Sequence, residues 1–321
     1  MDKDTGHIIC SNDFLTPLVN TNHLLNSSFL RGVSIFDAVY AFYDANTNKA
    51  LIFRLDQHIE RLLKNARTCC LKTNETFNSI KRMAVQTVEA NKFLCPQYID
   101  MRLVCFTCHP QAVDYSNEQT SLIISIHKMR EYIPLKMPAK VAIVPYTRDP
   151  VFGRVKLTGE YSVPAILHNN AIQKGFTTVL FKTHTGVVLE SAFANIFGVW
   201  NGQLYTPSLS LPIIAGVTRD SIINLAKKNG IKLNDSGIMT DSDLRSAGEL
   251  FLTGTSTKVT PITKISFFED YEFNTSKPTL KVGDDQPGPI TRLLMEKYDD
   301  LITGKSEYED LNEKYITTVK Y

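Results

Sequence analysis

The residues best placed to do chemistry lie between Glu190 and Arg219, in the stretch ESAFANIFGVWNGQLYTPSLSLPIIAGVTR. A carboxylate, Glu190, closes the apolar run Val187–Leu189, and Asn195 opens the next run, Ile196 to Trp200. Asn201-Gly202 then separates that run from the short strand Gln203-Leu204-Tyr205. An Asn-Gly pair between apolar runs is a strong hairpin signal. The expectation is a hairpin region carrying an inward carboxylate. Gly216-Val217-Thr218 leads into the helical run SIINLAKKNG. A glycine turn feeding a helix N-terminus offers backbone N–H groups and a hydroxyl to an anion, most often a phosphate. Each piece also has a plain reading. A glutamate is most often a solvated surface group, and Thr218 has the residue type of an ordinary helix N-cap.

A second chemical string is Cys105-Phe106-Thr107-Cys108-His109, the C-x-x-C-H pattern of haem attachment. Covalent haem belongs to exported chains, and the N-terminus MDKDTGHIICSNDF lacks the apolar core of a signal or transit peptide. A zinc site would need a second matching pair, which the spacing of the six cysteines (10, 69, 70, 95, 105 and 108) does not provide. The reading is two thiols at a strand end, kept reduced with the other cysteines in a cytoplasmic protein, and no metal.

These groups must be positioned by alternating strands and helices. Ile35–Phe42 and Ala50–Phe53 read as strands about the turn Asp44–Lys49. A helix follows from Arg54-Leu55-Asp56, with Asp56 as its N-cap and Ile59, Leu62, Leu63 and Ala66 at helical spacing. A second helix spans 75–92, and strands cover Tyr98–Phe106 and Ser121–His127. The segment KMREYIPLKMP (128–138), with its prolines and charges, reads as a linker between a domain at 1–127 and another at 139–321. In the second domain the expectation is strands at Val141–Tyr146, Thr178–Lys182 and Glu249–Leu252. Helices are expected from Ser162 to Gly175, with Pro164 in the first turn, at 219–229, and over Pro289–Leu301. Residues 304–321 read as a loose charged tail.

The chain has 321 residues, enough for two domains, with 43% hydrophobic and 21% charged residues, an ordinary globular balance. A net charge of +2 gives no bulk electrostatic case for nucleic acid or an anionic membrane. No apolar run approaches the roughly 20 residues of a membrane-spanning helix.

The order E-x-x-x-x-N-I-F, L-Y-T and I-x-G-V-T-R resembles the signature of the fold-type IV enzymes that depend on pyridoxal 5'-phosphate (PLP). These are the class IV aminotransferases: branched-chain and D-amino-acid aminotransferases, (R)-amine transaminases and aminodeoxychorismate lyases. The resemblance covers residues 30–300. It implies two α/β (α+β) domains, a small N-terminal one and a larger C-terminal one with a mixed, β-barrel-like core, and the cofactor between them. In FRLDQHIERLLKNA it makes Arg61 a phosphate ligand. In VKLTGEY it makes Lys156 the imine-forming catalytic residue, holding PLP as an internal aldimine, and puts Tyr161 at the phenolic O3′. Glu190 would pair with the pyridinium nitrogen. Val217 and Thr218 would bind phosphate, as would Thr255 and Ser256 of the late turn TGTSTK. The backbone of that turn would help hold the substrate carboxylate, which makes Thr257 a substrate candidate. Phe36-Asp37 occupies the place of an aromatic–acidic pair, and Phe36 is a further substrate candidate.

The chain departs from the branched-chain pattern at Arg31, where a tyrosine is usual, and at Asp100 of Tyr98-Ile99-Asp100-Met101-Arg102, where an arginine is expected. Arg31, Tyr98 and Arg102 are therefore candidates for a rebuilt substrate site, and the substrate is expected not to be a plain branched-chain amino acid. The implied activity is transfer of an amino group from an amino acid to a 2-oxo acid, in ping-pong order, by a homodimer. The rivals are a pyruvate-releasing lyase of the aminodeoxychorismate type and a catalytically silent PLP-fold binding protein.

Overall fold

The computed structural model describes residues 8–11, 14–17, 31–91, 98–107, 120–128, 138–273 and 278–320. Its strands are β1 (Ile8–Ser11), β2 (Phe14–Pro17), β3 (Ser34–Asp44), β4 (Lys49–Phe53), β5 (Tyr98–Thr107), β6 (Thr120–Lys128), β7 (Ala139–Pro145) and β8 (Thr178–Lys182). They continue as β9 (Val188–Ser191), β10 (Asn195–Trp200), β11 (Gln203–Tyr205), β12 (Leu233–Asn234), β13 (Glu249–Gly254), β14 (Lys258–Phe267), β15 (Leu280–Lys281) and β16 (Ile316–Lys320). The helices are α1 (Leu55–Thr68), α2 (Phe77–Ala90), α3 (Ser162–Gln173), α4 (Val217–Lys228), α5 (Asp241–Ser246), α6 (Pro289–Ile302) and α7 (Glu309–Tyr315). No described helix is long and apolar enough to cross a membrane.

The chain divides into two units. The first holds residues 1–130, 155–159 and 300–321, and the second holds 131–154 and 160–299. In the first, seven strands run in the order β16-β4-β3-β5-β6-β1-β2, with every pairing antiparallel. One face of this sheet is covered by α1 and α2, because alternate residues such as Ile35, Val39, Ala41, Ile99, Met101 and Leu103 point into a core with Ile59, Leu62, Ile80 and Met83. Thr76 and Ser79 form a capping box that starts α2. The start of α1 differs from expectation. Its N-cap is Arg54, in the left-handed region at φ 54°, and Asp56 is the second helical residue, in the first turn, paired with Lys81.

The second unit carries a nine-stranded mixed sheet in the order β12-β11-β10-β13-β14-β7-β8-β9, with β15 on β14, and it curls into a half-barrel. Asn201 and Gly202 have φ of 50° and 73°, the paired positive angles of the tight turn that joins β10 to β11. Strand β14 is absent from the sequence expectation because Pro261 sits in it. Pairing with β7 begins only at Ile262, so the missing N–H of Pro261 falls outside that ladder.

The loose tail is overturned. Residues 309–320 form α7 and β16, and β16 pairs antiparallel with β4 from Ile316↔Phe53 to Lys320↔Lys49. The Arg54 amide donates to the Tyr315 carbonyl at 2.6 Å and its guanidinium lies 4.1 Å over the Tyr315 ring. Val319 joins the helix-side core, so burial fixes a segment that charge alone made look solvated. Most of the expected linker, residues 129–137, lies outside the described residues, as do Cys108 and His109 of the C-x-x-C-H string.

Candidate active site

In the first unit the segment Val155–Gly159 lies along the start of β3. The Phe36 amide donates to the Lys156 carbonyl at 3.1 Å, Ile35 and Leu157 form an antiparallel bridge, and the Gly159 amide donates to the Gly32 carbonyl at 2.9 Å. The Thr158 hydroxyl donates to that same carbonyl at 2.7 Å. Gly32 has φ +66°, and a Cβ there would stand 2.7 Å from the Gly159 Cα, so both the angle and the close approach require glycine. This clamp leaves the Lys156 Nζ 4.8 Å from the centre of the Phe36 ring. Arg31, exposed, immediately precedes the clamp.

Strand alternation then decides which groups share the lysine's face. The register pairs Phe36 with Val104, Ala38 with Arg102, Tyr40 with Asp100 and Phe42 with Tyr98, so these side chains lie on one face of the sheet. Tyr98 packs its ring 5.6 Å from Phe42 and 6.1 Å from Tyr40. Arg102 donates from Nε (3.0 Å) and Nη2 (2.6 Å) to one oxygen of Asp100.

Asp37 points the other way, towards α1. The wholly buried carboxylate takes a fork from Arg61, Nε at 2.8 Å and Nη2 at 2.7 Å, and lies 2.7 Å from His58 Nδ1. Burial alone would raise the pKa of Asp37, but the Arg61 guanidinium and His58 outweigh it and hold the carboxyl well below the usual carboxylate range. His58 is pushed down by burial, against the opposing pull of Asp37, so it stays neutral and can donate from Nδ1. Neither His58 nor this role for Asp37 was legible in the sequence, although an i, i+3 His–Arg pair on one helix face was a usable signal.

In the second unit, Glu190 lies in β9, one residue before its end, with only 3% of its surface exposed. Its Oε2 accepts from Asn195 Nδ2 at 3.0 Å and from the Ile214 amide at 3.1 Å, and its Oε1 lies 3.1 Å from Arg148 Nε. Asn195 also donates to the Ile214 carbonyl at 2.9 Å, which ties the glycine turn to the strand. Arg148 is the residue the sequence reading missed. It comes from a loop with no spacing pattern, yet it is buried and donates to the carbonyls of Glu160 (3.1 Å) and Ala192 (3.2 Å). Its guanidinium lies 4.6 Å over the Tyr161 ring, which stacks on Phe193 at 6.3 Å. Burial disfavours the charged guanidinium, but Glu190 and the neighbouring phenols more than offset it, so Arg148 is held above its ordinary value.

The N-cap of α4 is Gly216, not Thr218, and no side chain caps it. A Cβ on Gly216 would meet Asn195 Oδ1 at 2.1 Å, so the turn needs glycine for space. Val217 and Thr218 are thus the first two helical residues, whose amides have no partner inside the helix. The Thr218 hydroxyl lies 3.3 Å from the Tyr298 hydroxyl. The late turn is next to this group, because Asn195 pairs with Thr253 across β10 and β13, and a Cβ on Gly254 would stand 3.1 Å from the Phe193 carbonyl. Thr255 and Ser256 are half-buried there. The hydroxyls of Thr253 and Thr257 are buried and make no hydrogen bond among the described residues. Helix amides, turn hydroxyls and two orphaned donors at one glycine-lined place suit an oxyanion such as phosphate.

A clamped lysine amine, a buried carboxylate held on both oxygens and an anion cradle are the parts of an enzyme that transfers amino groups. The chain belongs to the class IV aminotransferase family: the family model for class IV amino-transferases matches residues 39–265. It is 26% identical over 306 residues to the probable branched-chain-amino-acid aminotransferase of Aquifex aeolicus, covering 92% of this chain and 91% of that one. It is 29% identical over 293 residues to the branched-chain-amino-acid aminotransferase of Pseudomonas aeruginosa, covering 89% and 90%. Among solved structures, the branched-chain aminotransferase of Thermoproteus uzoniensis with norvaline matches at a TM-score of 0.85 with 27% identity, over 97% of this chain and 99% of that one. The Thermobaculum terrenum enzyme in its PLP form matches at 0.86 with 21% identity, over 99% and 100%, which establishes the fold-type IV architecture.

Proposed function

We propose that this protein is a PLP-dependent aminotransferase of the branched-chain type, moving an amino group from an amino acid to a 2-oxo acid in ping-pong order. Two observations carry the reading, one in each unit: a lysine whose segment is clamped by backbone hydrogen bonds, and a buried glutamate whose two oxygens are fixed. The residues present fit PLP, as the helix N-terminus at Gly216 has no side-chain cap and the buried Thr253 hydroxyl near it makes no hydrogen bond among the described residues, a setting that suits an anionic group. When bound, PLP supplies an aldehyde that takes up the amino group and a protonated ring that draws electrons from the substrate's Cα.

Each residue then has a task. Lys156 Nζ holds the cofactor between turnovers and carries a proton to and from the substrate's Cα. Glu190 keeps the cofactor's ring nitrogen protonated, and the Arg148 guanidinium beside it orients the carboxylate. Tyr161, stacked on Phe193, donates to the phenolic oxygen. Val217, Thr218, Thr255 and Ser256 bind the phosphate with Arg61, whose plane is set by its fork to Asp37. Phe36, Tyr98, Arg102, Arg31 and Thr257 are assigned to the substrate. The matches to aminotransferases, with both the lysine and the glutamate in place, favour this reading over a lyase or a silent binding protein. Assembly as a homodimer in the cytoplasm completes it, with sedimentation and fractionation as the tests.

The experiment is a spectral titration of the purified protein. Adding an amino donor should shift the cofactor's absorbance from its aldehyde-derived band to that of pyridoxamine phosphate, and a 2-oxo acid should reverse it. Release of pyruvate with return of the original band would replace this reading with the lyase. A protein that takes up no PLP would overturn it.

A further inference from the structure

We propose that Asp100 is a specificity-determining residue that selects amino donors whose side chain ends in an ammonium or another strong N–H donor, and rejects those ending in a second carboxylate. The inference rests on the aminotransferase reading and goes on to name its substrate class. Four observations converge on it. Asp100 lies on the face of the first unit's sheet that carries Phe36, over whose ring the Lys156 amine is held. The residue is 5% exposed, so its charge is poorly screened by water. One of its oxygens takes both Arg102 donors, while the other, Oδ1, is buried and has no hydrogen-bond partner among the described residues. The surrounding strand positions are aromatic: Tyr40, Phe42 and Tyr98 line the same face and suit a hydrocarbon stem.

A buried carboxylate oxygen without a donor is costly, and a substrate cation relieves that cost on binding. A substrate carboxylate placed there would instead meet a like charge in a poorly solvated setting. Arg102 cannot readily offset this, because Nε and Nη2 are already directed at Asp100. Across the sheet, Asp100 is opposite His127, whose Nε2 lies 2.8 Å from the Ser125 hydroxyl, and Arg102 is opposite Ser125. On this face of β5, Asp100 thus gives one oxygen to Arg102 and keeps its other, Oδ1, as a buried acceptor with no hydrogen-bond partner among the described residues.

A six-carbon series of donors tests this: lysine, norleucine and 2-aminoadipate, which differ only in an ammonium, a methyl or a carboxylate at the chain end. Each is supplied as both enantiomers, and the single-turnover conversion of the holoenzyme is followed by cofactor absorbance. The expected result is lysine over 2-aminoadipate by at least tenfold in kcat/KM, with norleucine between them. Asp100→Asn should shrink the lysine-to-aminoadipate ratio at least tenfold, and Asp100→Glu should restore part of it. Because ratios are read, a general loss of stability in a variant cancels. Preference for 2-aminoadipate, a ratio unchanged in Asp100→Asn, or failure of the whole series in a holoenzyme active on other donors would overturn the proposal. Failure to hold PLP at all would overturn the aminotransferase reading instead, so the two are separated.

Discussion

Around Glu190 the polar groups come from three segments of the second unit, with Asn195 five positions on, Ile214 closing a longer loop and Arg148 reaching in from an earlier one, and hydrogen bonds or an ion pair join them directly. Around Lys156 the backbone clamp joins segments far apart in the chain, residues 156–159 to 32–36, while the charge pairs of the same sheet are nearer in sequence, Asp37 with Arg61 and His58, and Asp100 with Arg102. The first arrangement is a network that fixes one carboxylate. The second is a sheet used as a divider, with the Asp37–Arg61 pair on its helix side and the Asp100–Arg102 pair on the face that carries Phe36. The comparison suggests that the glutamate region governs how the cofactor reacts, and the lysine region governs what is held and which substrate enters.

Substitutions can break or sharpen that contrast. Lys156→Ala should cost the most, lowering transamination by about 10⁴-fold, measured as steady-state turnover. Glu190→Gln keeps an acceptor for the Ile214 amide but removes the charge, and should lower kcat by about 10²–10³-fold with the circular dichroism spectrum unchanged. Asp37→Asn should act on stability and cofactor retention. It leaves a half-buried guanidinium without this anion, a loss of about 2–3 kcal/mol by thermal or denaturant unfolding, with PLP released more readily. Gly216→Ala should be the mildest, about 1–3 kcal/mol, because the new methyl displaces Asn195.

The helix-side cluster also sets a dependence on pH. His58 and Asp37 both have folded values below their unfolded ones. Their stabilisation is therefore present above the unfolded values and lost as pH falls through the folded ones. The His58 contribution should begin to fall below about pH 6.5 and that of Asp37 below about pH 4. His58→Gln should remove the upper window from a plot of stability against pH and leave the lower one. An unchanged upper window would show that His58 does not titrate with unfolding.

Much of the second unit was readable because its signals are contiguous. The Asn201-Gly202 turn, the Gly216 helix start and the strand carrying Glu190 each announce themselves by local residue type. Strand β14 was hidden by Pro261, whose local preference is overridden by its place outside the β7 ladder. Residues 309–320 were hidden by their charge, since only pairing with β4 and the contact of Tyr315 with Arg54 order them. Arg148 and the partners of Asp37 were invisible because long-range ion pairs leave no periodicity in a sequence.

The most direct test of the account is to reduce the holoenzyme with borohydride, digest it and locate the cofactor adduct by mass spectrometry. The account predicts the phosphopyridoxyl mass on the peptide containing Lys156 alone, and its loss in Lys156→Ala. An adduct on another lysine, or none on a protein that still transaminates, would contradict it.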